Sequence, residues 1–350
     1  MTTLPKIDTD FMLDFLTGLL NTPSPTGFTE DAINYTEQAI SSSADLTTSR
    51  TRKGALVITL PGAKEDAPRG VTAHIDTLGA MVKEIKSNGR LKLTKIGGYP
   101  WNTVEGEGCT IFTQTGERVH GCLLHTQASV HVHGSKVGEN KREDDNMEVR
   151  LEIRTTSAEE TAEHGIQVGD FVAFEPRVVL RNGFIRSRHL DDKACVASII
   201  TALKAIHDAG DQPAQSTTVL ISNYEEVGHG ASCGFPPEMA ELVAVDMAAV
   251  GEGQTSDEFS ATLCVKDSGG PYHHGLSQKL RRLAEVHGIP HKVDVYPYYG
   301  SDGEAYWRAG GNVAVALIGP GVDASHNYER THVEALQATM NWILAYLYSQ

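Results

Sequence analysis

Thr218-Val219-Leu220-Ile221-Ser222-Asn223-Tyr224-Glu225-Glu226-Val227-Gly228 sets two adjacent carboxylates directly behind a short apolar run. The run reads as a buried strand. Neighbouring acids in one cleft repel each other unless a cation separates their duties, one ligating a metal and the other handling protons. The pattern recurs. Arg69 to Ala73 runs into His74-Ile75-Asp76, and Leu242 to Val245 ends in Asp246. Strands of this kind alternate with helical stretches, so the sequence predicts an α/β fold with a mainly parallel central sheet and helices on both faces. The carboxyl edge of such a sheet is where these folds bind ligands.

Further helices are expected near the start, where Phe11, Phe15, Leu16, Leu19 and Leu20 recur at helical spacing behind Thr9 and Asp10, either of which can cap, and over Glu30 to Ile40. Val196, Ile199, Ile200, Leu203 and Ile206 form a third helical face behind Arg186-Ser187-Arg188-His189-Leu190-Asp191-Asp192-Lys193, whose paired aspartates fit either a helix cap or a ligand pair. Leu276, Leu280 and Leu283 mark another, and Leu336, Met340, Ile343 and Leu347 a closing one. From Glu84 to Arg186 the texture changes to short alternating runs with glycine-rich breaks, which predicts a small inserted β-rich module. The expected domains are therefore 1–83 with 187–350, and an inserted 84–186.

Composition narrows the partners. A net charge of -15 on 350 residues opposes nucleic acid or an anionic membrane as the main partner. Five cysteines without a C-x-x-C pair disfavour a disulfide framework and a thiolate zinc cluster. The opening Met1-Thr2-Thr3-Leu4-Pro5-Lys6-Ile7-Asp8 lacks the features of a signal peptide, and a cytoplasmic location is expected.

His74, Asp191, Glu226, Asp246 and His326 form one set of nitrogen and oxygen donors spread over separate strand ends. Such a set suits zinc, cobalt or manganese. Five ligands exceed the needs of one catalytic zinc and match two ions sharing a carboxylate, with Glu225 left as the unligated acid. In His74-Ile75-Asp76 the acid stands where it can accept the second N–H of the imidazole. The histidines His120, His125, His131 and His133 of the inserted module offer a second conceivable site, with His131 and His133 on one face of any strand they occupy.

Ala73-His74-Ile75-Asp76, Arg188-His189-Leu190-Asp191-Asp192-Lys193, Glu225-Glu226-Val227-Gly228, Val245-Asp246 and the late histidine, with the early Pro-Ser-Pro-Thr-Gly turn at 23–27, together resemble the tetrahedral (TET) aminopeptidases, glutamyl- and deblocking-aminopeptidase-like dinuclear metallopeptidases. The resemblance implies a zinc-exopeptidase-like fold with the inserted module as dimerisation domain. It implies two divalent metal ions per subunit, with Asp191 bridging, His74 and Asp246 completing one site, and Glu226 and His326 the other. Glu225 would be the general base, Asp76 the partner that orients His74, and the Asp191–Asp192 peptide cis. The implied substrate is a short peptide cleaved at its N-terminal bond, and the implied assembly a homodimer building a homo-dodecamer. The chain departs from the family pattern at His326-Asn327-Tyr328-Glu329, where His-Ser-Pro-x-Glu is usual, and His332 competes with His326 as last ligand. Ser268-Gly269-Gly270-Pro271-Tyr272-His273-His274 and Ser301-Asp302-Gly303-Glu304 also depart from the expected pocket. Rival readings are a dinuclear carboxypeptidase, an N-acyl amino acid or small amide hydrolase, and a catalytically silent homologue. The first two resemble the metal motifs but insert their extra domain after the Glu-Glu segment, whereas here the long insertion lies between Asp76 and Asp191.

Overall fold

The computed structural model describes residues 3–41, 43 and 45–350. Met1 and Thr2 of the opening segment lie outside the described residues. The chain divides into two compact units, Met1–Asp76 with Arg177–Gln350, and Thr77–Pro176. The division falls earlier at both ends than the expected 84 and 186. The Gly79–Ile85 strand pairs with Leu91–Ile96 and with Phe171–Phe174, so its hydrogen bonds commit it to the inserted unit. At the other end Val179–Arg181 and Phe184–Ser187 form a hairpin that pairs onward with Glu329–His332, which commits them to the larger unit.

The inserted unit is a closed six-stranded barrel, in the order Gly79–Ile85, Leu91–Ile96, Met147–Leu151, Arg118–His125, Gly108–Phe112 and Phe171–Phe174. Alternating inward residues such as Val82, Leu91, Leu93, Ile111, Leu123, Val149 and Val172 fill its interior. His131 and His133 lie on a short helix, Val130–His133, rather than on a strand. None of the four histidines of this unit joins a group of three potential ligands among the described residues.

In the larger unit the sheet is mixed, which corrects the mainly parallel expectation. Its centre is parallel, in the order Thr217–Ser222, Arg69–His74, Glu241–Val245 and Ala314–Asp323. Antiparallel strands extend it on both sides: Leu56–Leu60 and Thr47–Arg50 beyond the first, and Glu329–His332 with the 179–187 hairpin beyond the last. Ala261–Lys266 also pairs antiparallel with Ala314–Asp323. Short polar strands such as Thr47-Thr48-Ser49-Arg50 carry no apolar alternation, so main-chain pairing alone defines them.

The helices divide unequally between the sheet faces. Val219, Ile221, Val243, Val245, Ala316 and Ile318 share one core with residues of Thr9–Leu20, Glu30–Ile40, Leu190–Asp208, His274–His287 and Val333–Tyr348. The alternate residues Leu242, Ala244, Val315 and Leu317 pack instead with Tyr306 and Trp307 of the seven-residue helix Asp302–Arg308. The first helix is capped by Asp8, whose carboxylate accepts from Phe11 N at 3.0 Å, rather than by Thr9 or Asp10. No helix among the described residues is long and apolar enough to cross a membrane.

Close main-chain approach fixes the central strand ends. Asp246 N donates to Ile318 O at 3.0 Å. A Cβ built on Gly319 would stand 1.7 Å from the Asp246 carbonyl oxygen, so this position has no room for a side chain. Gly319→Ala is therefore expected to lower stability by about 1–3 kcal/mol through overpacking. Urea unfolding should show a lower midpoint at unchanged slope; an unchanged midpoint would mean that the strands separate freely here.

Candidate metal centre and active site

The four central strands bring their carboxyl ends together. In register, His74 sits beside Ser222, three residues before Glu225, while Val245 sits beside Ile318. Two more donors leave from these ends: Asp246 follows Val245 at once, and His326 lies three residues past Asp323, where the last of the four strands stops. Asp191 arrives from the start of Leu190–Asp208, where Asp191 and Asp192 keep non-helical angles and share a cis peptide bond.

Two groups of donor atoms result, each with its members within 4.8 Å of one another: His74, Asp191 and Asp246, and Asp191, Glu226 and His326. Asp191 belongs to both. His74 Nε2 lies 3.1 Å from Asp191 Oδ1, and His326 Nε2 lies 3.4 Å from Asp191 Oδ2 and 3.7 Å from Glu226 Oε2. All five expected ligands thus converge. Glu225 belongs to neither group, yet its Oε2 stands 3.7 Å from His74 Nε2.

His332 is elsewhere. Its ring packs against Phe184 and Phe259, and Nδ1 accepts from Glu334 N at the start of the closing helix. Between the two late histidines, only His326 enters the donor groups.

The role of Asp76 differs from the expectation. His74 Nδ1 lies 2.9 Å from the main-chain carbonyl oxygen of Asp76 and 3.7 Å from its carboxylate. Donation to that carbonyl through Nδ1 leaves Nε2 as the nitrogen that faces Asp191, the one a cation would take in place of its proton. The fully buried Asp76 carboxylate instead accepts from Thr26 Oγ1 at 2.6 Å, Glu225 N at 3.1 Å and Glu226 N at 3.2 Å. It holds the turn that carries both glutamates. That use of Asp76 explains the early Pro-Ser-Pro-Thr-Gly turn, which delivers Thr26.

Three further residues were not singled out as site residues by sequence. Glu329 accepts from Asp191 N at 3.1 Å through one carboxylate oxygen and from His326 N at 3.0 Å through the other, tying two ligands of one group together. Asp302 accepts from Thr72 Oγ1 at 3.0 Å, Ala231 N at 2.8 Å and Ser222 Oγ, bracing the strand before the glutamates. Tyr299 hydrogen-bonds the Met247 carbonyl at 2.6 Å and lies beside Asp246. Glu329 and Asp302 both fall inside the stretches that depart from the family pattern, which was the available signal.

Backbone strain collects here as well. His189, Tyr224 and His326 adopt left-handed φ values of 71°, 68° and 63° although none is glycine. Each such residue costs roughly 1–2 kcal/mol, which the surrounding bonds offset.

The electrostatics follow from burial. Burial, then the charge of Asp191, pushes Glu226 up to about 8 and Asp246 up to about 7. Glu225 is raised well above the carboxylate range by burial, despite nearby His74, and further by Asp246. Asp191 goes the other way: burial opposes its charge, but bonds to His326 and His74 hold it well below the usual range. Acids forced toward neutrality around imidazole nitrogens form a site short of positive charge. The donors are nitrogen and oxygen only, which fits divalent cations of the zinc, cobalt or manganese type.

Comparison with known proteins identifies the family and the fold. The family profile described as M42 glutamyl aminopeptidase matches residues 54–342. The "Putative aminopeptidase YhfE" of Bacillus subtilis (strain 168) is 47% identical over 338 residues, covering 96% of this chain and 97% of its own. The glutamyl aminopeptidase of Lactococcus lactis subsp. cremoris (strain MG1363) is 26% identical over 79% of either chain. Among solved structures, an aminopeptidase from Desulfurococcus kamchatkensis superposes with TM-score 0.87 at 19% identity, covering 98% of this chain and 96% of that one. The TET1 peptidase of Pyrococcus horikoshii, described as assembling into a tetrahedron or a large octahedral shell, superposes with TM-score 0.84 at 21% identity, covering 97% and 100%. The chain belongs to the M42 glutamyl aminopeptidase family and is a hydrolase of the peptidase class.

Proposed function

We propose that this protein is a metal-dependent aminopeptidase that removes the N-terminal residue of short peptides, using two divalent cations and Glu225 as general base. The observation that carries this reading is the pair of donor groups sharing Asp191, with Glu225 beside His74 and a member of neither. His74, Asp191 and Asp246 would hold one cation, and Asp191, Glu226 and His326 the other, zinc being the first candidate. When bound, such a pair supplies Lewis-acid polarisation of a peptide carbonyl and acidifies water.

The chain's own residues do the rest. Glu225 Oε2 takes the proton of the attacking water and later gives it to the leaving amine nitrogen. Asp76 keeps Glu225 and Glu226 in register by accepting their main-chain N–H groups. The Asp76 carbonyl fixes the tautomer of His74, and Glu329 holds the main chain of Asp191 and His326. The barrel of residues 77–176 would serve as the dimerisation unit. The expected homodimer would build a homo-dodecamer; large assemblies are described for similar structures, a tetrahedron or octahedral shell for the P. horikoshii TET1 peptidase and a dodecamer for PhTET1-12s.

Glu225→Gln is expected to keep metal content while lowering kcat by about 10²–10⁴, the usual contribution of a general acid–base group. The check is metal analysis beside leucine p-nitroanilide turnover, and near wild-type turnover would remove Glu225 from this role. A companion panel of N-acylated amino acids separates aminopeptidase from deacylase activity.

His326→Ala should lower the bound-metal stoichiometry, whereas His332→Ala should leave it unchanged. Removal of metal should lower the melting temperature, because saturation at about 100 times Kd contributes about 2.7 kcal/mol. Equal metal loss in the two histidine variants would overturn the ligand assignment.

A further inference from the structure

The antiparallel extension of the larger unit presents an outer face that the chemistry above leaves unused. Register pairs Arg181 with Phe184, Phe184 with His332, and Arg186 with Arg330, so these side chains share one side of the sheet. The opposite side, with Ile185, Ser187, Glu329 and Thr331, is buried. Arg186 directly opposite Arg330 is a like-charge cross-strand pair, an arrangement that destabilises a sheet. Glu258 relieves only one of the two, binding Arg330 at 2.6 and 2.8 Å. Among the described residues Arg186 makes no ion pair; its guanidinium lies 5.9 Å from the centre of the Tyr328 ring. Arg177 covers the same ring at 4.0 Å, and the Tyr328 hydroxyl donates to the Arg177 carbonyl at 2.8 Å. Arg177, Arg181 and Arg186 are all exposed. Two guanidinium groups gathered on one aromatic ring are out of keeping with a chain of net charge -15.

Tyr328 belongs to the loop that bears His326. Tyr328 follows His326 by two residues, so their Cα atoms are at most about 7.6 Å apart. Arg188, one residue from the strand that bears Arg186, donates to Asn327 O at 3.2 Å in the same loop. An extended peptide advances about 3.3–3.6 Å per residue, so a group two or three residues beyond the cleaved bond lies roughly 7–11 Å from it. We propose that Arg186 and Arg177, seated on Tyr328, form a subsite for carboxylate groups in the part of a peptide substrate that follows the cleaved bond. Guanidinium groups are suited to this by their planar, bidentate recognition of carboxylate. The inference rests on the aminopeptidase reading for the identity of the ligand.

The test uses full-length Glu225→Gln protein loaded with zinc and calorimetric binding of three peptides. Leu-Ala-Gln carries only the terminal carboxylate, Leu-Ala-Glu-amide only the side-chain one, and Leu-Ala-Gln-amide neither. At low salt at least one carboxylate peptide is expected to bind about 10-fold more tightly than the neutral one, and which one does so identifies the carboxylate that is read. The preference should fade as salt rises. It should also vanish when Arg177→Gln and Arg186→Gln are combined, and survive in part in Arg186→Lys. Equal affinity for all three peptides, or a preference that persists in the double variant, overturns the proposal. If binding discriminates as expected while metal-loaded wild-type protein releases no amino acid from any member of a panel of free-amine peptides, the carboxylate site stands and the aminopeptidase reading of its ligand falls.

Discussion

The larger unit is organised around the cost of crowding carboxylates into a space with too little water to solvate them. Asp191, Glu225, Glu226, Asp246 and Glu329 converge on two imidazoles, and burial drives four of these acids toward their neutral forms. Asp191 alone is held ionised, because it lies between both histidines. An arrangement so short of positive charge is tolerable where cations complete it. The hydrogen bonds around the cluster act differently. They fix where each donor stands, since repulsion among these groups would otherwise spread them apart.

That division of labour is visible in how the supporting residues are used. Asp76 and Glu329 accept main-chain N–H groups of Glu225, Glu226, Asp191 and His326, so they act on the backbone that carries the donors rather than on the donors' own side chains, while Asp302 braces the preceding strand through Thr72, Ser222 and Ala231. Left-handed backbone at Tyr224 and His326 turns the chain sharply just before or at a donor. The site is thus built from turns at strand ends, and the sheet supplies only their spacing.

This explains which parts were legible in the sequence. Apolar runs ending in polar groups located three of the central strands together with His74, Glu226 and Asp246, because a buried parallel strand has a strong compositional signature and its carboxyl end is a fixed place; Asp191 came instead from the Arg188–Lys193 motif ahead of a helix, and His326 from the late motif of the family resemblance. The antiparallel extensions were hidden, since Thr47–Arg50 and the 179–187 hairpin pair through main chain with little apolar pattern. The same blindness set the module boundary too late at 186. Asp76 was found as a polar partner of His74, but its residue type could not reveal that its carbonyl serves the histidine while its carboxylate serves the glutamates. Glu329 reaches Asp191 across 138 residues and Asp302 reaches Ala231 across 71, relations that spacing does not encode.

Lys193 adds one more connection. Its fully buried Nζ donates to Leu19 O at 3.0 Å and Thr22 O at 2.7 Å, closing off the carbonyl end of the first helix. The same short turn carries Asp191. The amino-terminal segment is therefore no detachable appendage: it supplies the acceptors that let an amine sit inside the protein two positions from the shared aspartate. Trimming that helix would strand the amine without partners, and the disturbance would reach the donor cluster from the far end of the polypeptide.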